Sequence, residues 1–110
     1  MEKLSINYED MEWSEATGYP TGTKIKMLRE EESAKTFLLK LAPGFDMKAH
    51  SHIATEQHFV LDGEYISNGK IFGIGTYRLI PSQSDHGTFT SENGATVLVV
   101  WDSLPKNPDR

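Results

Sequence analysis

The chain has four histidines, and all of them lie between positions 50 and 86. His50 and His52 are separated by one residue, so on a strand their imidazoles point the same way. Glu56 follows after three residues, beyond a turn expected at 53–55. His86 stands alone, just after Pro81-Ser82-Gln83-Ser84-Asp85. If the fold brings His86 beside the His50/His52 strand, three imidazoles and a carboxylate converge, a donor set for a divalent transition metal. Read by spacing alone, the same residues also fit surface histidines, or core histidines with satisfied hydrogen bonds. There is no cysteine, so disulfides, thiolate nucleophiles, cysteine zinc sites and iron–sulfur clusters are excluded. His58 lies two residues after Glu56 and shares its face on a regular strand. It is a candidate acid/base group or substrate anchor, against the plainer role of a histidine hydrogen-bonded inside the fold.

Short strands must position these groups. Runs rich in Val, Ile, Phe, Tyr and Thr are expected as strands at Thr23–Leu28, Lys35–Leu41, Asp46–His52, Glu56–Leu61, Glu64–Ser67, Lys70–Gly73, Thr76–Ile80, Gly87–Thr90 and Ala95–Trp101. Asn68-Gly69 between two such runs signals a tight hairpin. Gly63 and Gly75 read as turn glycines that tolerate positive φ, and Pro81 as a loop stiffener. Residues 29–36 have room for one helical turn but carry no sustained apolar stripe. Many short strands with turns between them predict an antiparallel sandwich or barrel. Most aromatic residues, Phe59, Tyr65, Phe72, Tyr77, Phe89 and Trp101 among them, are expected in the core, with one or two facing a pocket. Trp13 is expected to cover a sheet edge or help an interface.

The 110 residues fit one domain, expected over 1–104 with a frayed tail over 105–110. Hydrophobic residues at 37% and charged residues at 25% are a soluble globular profile that can fill a core. No apolar run approaches membrane-spanning length, so no membrane partner is expected. Eleven basic against sixteen acidic residues give a net charge of −5 without a Lys/Arg cluster, which argues against nucleic acid. The run Arg29-Glu30-Glu31-Glu32 reads as a solvated loop. The N-terminal residues show no basic and apolar leader pattern, and a cytoplasmic location is expected. No phosphate-cradling glycine loop is present, so nucleotide substrates lack support.

Gly44, five residues, His50-Ser51-His52, three residues, Glu56, six residues and Gly63 resemble the first motif of the cupins. Gly75, five residues, Pro81 and then His86 resemble the second, with Gln83 and Thr90 where the family usually has glycine and asparagine. The short gap between the motifs resembles small single-domain cupins, and in particular the cupin half of ChrR-type anti-sigma factors. The resemblance implies an all-β, jelly-roll β-barrel. It implies that His50, His52, Glu56 and His86 ligate one divalent ion, among Fe, Mn, Ni, Co, Cu and Zn. It implies a homodimer, for which exposed strand edges give a physical motive. The function expected is a metal-dependent enzyme that binds and transforms a small oxygen-bearing molecule, by dioxygenase-like or by isomerase- or lyase-like chemistry, with His58 moving a proton. The alternative is a non-catalytic zinc-binding sensor or ligand-binding module of ChrR type.

Overall fold

A computed structural model describes residues 3–48, 54–82 and 88–102. Among the described residues there are nine strands: β1 (Ser14–Glu15), β2 (Lys24–Glu30), β3 (Ala34–Leu41), β4 (Phe45–Met47), β5 (Thr55–Ser67), β6 (Lys70–Gly73), β7 (Tyr77–Ile80), β8 (Phe89–Ser91) and β9 (Ala95–Asp102). A 3-10 turn, Tyr8–Asp10, precedes them, capped by Asn7 Oδ1 accepting from the Glu9 amide. All pairings are antiparallel. One layer runs β1-β2-β3-β9-β5-β7, and the other runs β4-β8-β5-β6. The strand β5 belongs to both, so the sheet curls around a shared interior.

The interior follows from alternation along these strands. Phe37, Leu39 and Leu41 of β3 point inward with Val97 and Val99 of β9, and meet Val60 and Tyr65 of β5 and Phe89 of β8. The opposite face of the β2–β3 pair is covered by the N-terminal segment. There Lys26 donates to the Tyr8 carbonyl at 2.8 Å and lies 4.6 Å from the Trp13 ring, while Lys40 lies 5.6 Å from the same ring. Trp13 therefore covers a sheet face through two lysine stems.

Three local expectations change. Residues 29–36 make no helical turn: β2 runs to Glu30, β3 begins at Ala34, and the Glu31 amide donates to the Ala34 carbonyl at 2.8 Å. Pairing of β3 with both β2 and β9 holds Ala34–Thr36 extended. The expected strand Asp46–His52 is observed as Phe45–Met47, and residues 49–53 lie outside the described residues. The expected strands Glu56–Leu61 and Glu64–Ser67 are one continuous strand.

That last change has a clear origin. The β5–β9 register shifts between Val60 and Asp62, which leaves Leu61 as one extra residue on β5. Gly63 has φ +69, and it bends the strand where a turn was expected. A Cβ at Gly63 would lie 2.3 Å from the Gly94 carbonyl oxygen and 2.8 Å from Ala95 Cα. The backbones of β5 and the β8–β9 loop touch there because Gly63 has no side chain. The Asn68-Gly69 hairpin is as expected: φ is 51 and 77 at its two residues, the left-handed pair that a two-residue turn between twisted strands requires.

Gly63→Ala is expected to destabilise the chain by about 3 kcal/mol or more, from left-handed strain plus a backbone clash. Gly69→Ala, which meets no atom within 4 Å, should cost only the strain. Urea unfolding of the two variants compares them.

Candidate functional site

Strand register arranges the inward side chains in rows. The outermost row crosses four neighbouring strands as Glu30, Lys35, Trp101 and Glu56, and ends at Ile80 on β7. The next row reads Met27, Phe37, Val99, His58 and Arg78. The third reads Ile25, Leu39, Val97 and Val60 and is wholly apolar. Except for Ile80, Arg78 and Val60, the residues of these rows line a cavity of about 750 Å³, together with Tyr19, Tyr65 and Phe89. That volume falls within the roughly 300–1,000 Å³ of small-molecule pockets.

Glu56 and His58 face this cavity from β5, and each is only 7% exposed. Alternation puts them on one face, as the spacing predicted. The extra residue at Leu61 then changes parity, so Tyr65 also points inward although it lies an odd number of positions from His58. His58 Nε2 lies 3.0 Å from Glu56 Oε1, and Nδ1 lies 2.7 Å from the Tyr65 hydroxyl. Arg78 Nη1 donates to that hydroxyl at 3.2 Å. The Arg78 guanidinium is itself held over the Phe72 ring at 4.1 Å. Protons can be placed along the whole chain with a neutral imidazole. Arg78 donates to Tyr65, Tyr65 to Nδ1, and Nε2–H to the Glu56 carboxylate. A buried carboxylate on an apolar wall is costly unless hydrogen-bonded, and His58 supplies that bond.

Both tyrosines near the carboxylate are held protonated. Burial pushes Tyr19 up to about 12, and the Glu56 charge adds to the effect. Burial also raises Tyr65, against the hydrogen bond and charge of Arg78, which lower it.

Of the expected metal ligands, the structure places Glu56 in the cavity. His50, His52 and His86 lie outside the described residues. Among the described residues, the Ser82 amide donates at 3.1 Å to the side-chain oxygen of Thr55, the residue before Glu56. Among the described residues no group of three or more metal-ligating side chains gathers. The donor chemistry at Glu56 fits a cation all the same. It is a buried carboxylate on a mostly apolar wall, already oriented by an imidazole.

Sequence reasoning missed two residues here, Arg78 and Tyr19, which carried no expectation; Tyr65, expected in the core, lies there and lines the cavity. Only the alternation of β7 could have pointed to Arg78, which stands opposite His58.

Antiparallel layers curled around a ligand-sized cavity, with carboxylate and histidine on one inner strand, define a cupin barrel. The chain belongs to the family of the ChrR cupin-like domain, whose model matches residues 1–105. An RmlC-like cupin from Shewanella frigidimarina is similar in structure at 20% identity, TM-score 0.75, covering 96% of this chain and 95% of that one. A chain of the Rhodobacter sphaeroides SigE complex with the anti-sigma ChrR is similar at 24% identity, TM-score 0.71, covering 87% of this chain and 52% of that one. An acetylacetone dioxygenase from Acinetobacter johnsonii is similar at 14% identity, TM-score 0.74, covering 93% of this chain and 74% of that one. At these identities the likeness shows the fold. No curated protein matches the chain significantly in sequence.

The raised Tyr19 gives a measurable pH dependence. Between pH 10 and about 12 the unfolded chain loses a proton that folded Tyr19 retains, so stability should fall as pH rises through this window. Tyr19→Phe should flatten that slope, read by urea unfolding at pH 9, 10 and 11.

Proposed function

We propose that His50, His52, Glu56 and His86 hold one divalent transition metal, and that the chain is an enzyme acting on a small oxygen-bearing molecule in the cavity. The observation that carries this reading is the hydrogen-bonded chain Glu56–His58–Tyr65–Arg78, buried against a cavity of small-molecule size. A histidine serving only as core filling would not need a tyrosine and an arginine behind it. A divalent ion held there supplies a Lewis acid for a substrate with two oxygens, and iron(II) adds redox chemistry toward O₂. His58 is the acid/base group, holding or releasing a proton at Nε2. Tyr65 and Arg78 fix the ring from the Nδ1 side. The apolar walls, Met27, Phe37, Leu39, Val97 and Val99, keep bulk water from the substrate and strengthen these polar contacts. The structural likeness to an acetylacetone dioxygenase makes a β-diketone a reasonable first probe.

A second reading is a non-catalytic, zinc-binding sensor or ligand-binding module, and the ChrR family match supports it. The outward apolar side chains Tyr77 and Leu79 on β7, which among the described residues pairs only with β5, support a homodimer. Sedimentation equilibrium at twice the chain mass tests that assembly.

Elemental analysis of chain purified without chelator is expected to find about one metal per chain, and less than a tenth of that in Glu56→Ala and His86→Ala. Iron, manganese, nickel, cobalt or copper, with a spectrum that shifts on adding acetylacetone, supports the enzyme. Stoichiometric zinc that ignores acetylacetone favours the second reading, and no metal with any ion offered overturns both. His58→Ala should retain the metal and lose about 100-fold or more in acetylacetone-dependent turnover.

A further inference from the structure

We propose that Lys35, held over Trp101 at the mouth of the cavity, is an anion subsite, so the ligand of the Glu56 site carries a carboxylate. The inference rests on the reading that this cavity holds the ligand, and it names the ligand's chemical class.

Lys35, Trp101 and Glu56 stand in one row on the adjacent strands β3, β9 and β5, and all three line the cavity. Two strand spacings separate the backbones of Lys35 and Glu56, about 10 Å. The Lys35 ammonium lies 5.2 Å from the Trp101 ring centre, within cation–π range, so the half-exposed side chain lies over a residue that lines the cavity. Among the described residues Lys35 is the one lysine or arginine that lines this cavity. Arg78 is occupied behind it by Tyr65 and Phe72.

The ionic partner of Lys35 is weak. Glu30 Oε2 lies 3.6 Å away, beyond hydrogen-bond length, and both side chains are substantially exposed. Such a surface pair is worth little. The other acidic residue at the mouth, Glu15, is taken up by Lys24. Lys35 therefore has donors to offer an incoming carboxylate, which would be drier at the cavity mouth than Glu30 is in solvent. Next to it the second row, Met27, Phe37 and Val99, offers only apolar contact. The ligand that fits places oxygens toward Glu56 and His58, a short carbon chain along the apolar wall, and a carboxylate at Lys35.

The test compares two diketones that differ in the carboxylate, 4,6-dioxoheptanoate and neutral 2,4-heptanedione, by calorimetric titration of the chain as purified. The acid is expected to bind about 10-fold more tightly. Lys35→Met, which keeps a stem of similar length over Trp101, should bring the acid to within twofold of the neutral compound and leave the neutral compound unchanged. Lys35→Arg should keep the preference. Equal binding of both compounds by the unaltered chain overturns the subsite. A preference that survives Lys35→Met, or a loss shared equally by both compounds, does so too. Failure of both compounds to bind rejects the cavity reading itself, and the subsite with it.

Discussion

One extra residue on β5, Leu61, lets a single strand serve both layers of the barrel. A strand without it would keep even-numbered side chains inward along its whole length. Glu56 and His58 would then face the interior while Tyr65 faced solvent. With the bulge, parity changes after Val60, and Gly63 at φ +69 turns the strand from one layer into the other. The strand can make that turn only because Gly94 and Gly63 bring two backbones into contact. The cavity, the curl of the sheet and the meeting of His58 with Tyr65 all depend on this local geometry.

Four polar groups at the cavity wall form a connected series. Arg78 is fixed by Phe72, Tyr65 by Arg78, His58 by Tyr65, and one Glu56 oxygen by His58. Each bond gains strength from the low dielectric around it, and loss of any member would remove a hydrogen bond from a buried neighbour. Such a series is costly to build unless complete, which is why it stands out against walls of valine, leucine and phenylalanine. It also presents the Glu56 carboxylate in a defined orientation toward the cavity.

The family and the structural neighbours bear on architecture more than on chemistry. A cupin barrel is similar here to a dioxygenase and to a chain of an anti-sigma complex at comparable TM-scores. One fold thus accommodates different uses, and function has to be argued from side chains. In this chain those side chains are the series His58, Tyr65 and Arg78 behind Glu56 and the lysine over a tryptophan at the cavity mouth.

Much of this was legible beforehand. Glycine punctuation, β-branched runs and Asn68-Gly69 determined an all-β chain and located most of its strands, because these signals act within a few residues. The pairing of Glu56 with His58 on one face followed from a spacing of two. The helical turn weighed at 29–36 gave way to strand pairing on both sides of β3, a contact no local pattern contains. Gly63 was legible as a positive-φ glycine but not as a bend within a strand, since that distinction rests on the approach of Gly94, thirty-one residues away. Tyr65 and Arg78 became partners of His58 only through the register of β5 and β7 and the parity change at Leu61. The sequence by itself determined which residues could carry charge and protons. Tertiary structure alone decided which of them share one face of one cavity, because side-chain direction depends on register, and register is settled between strands, not within them.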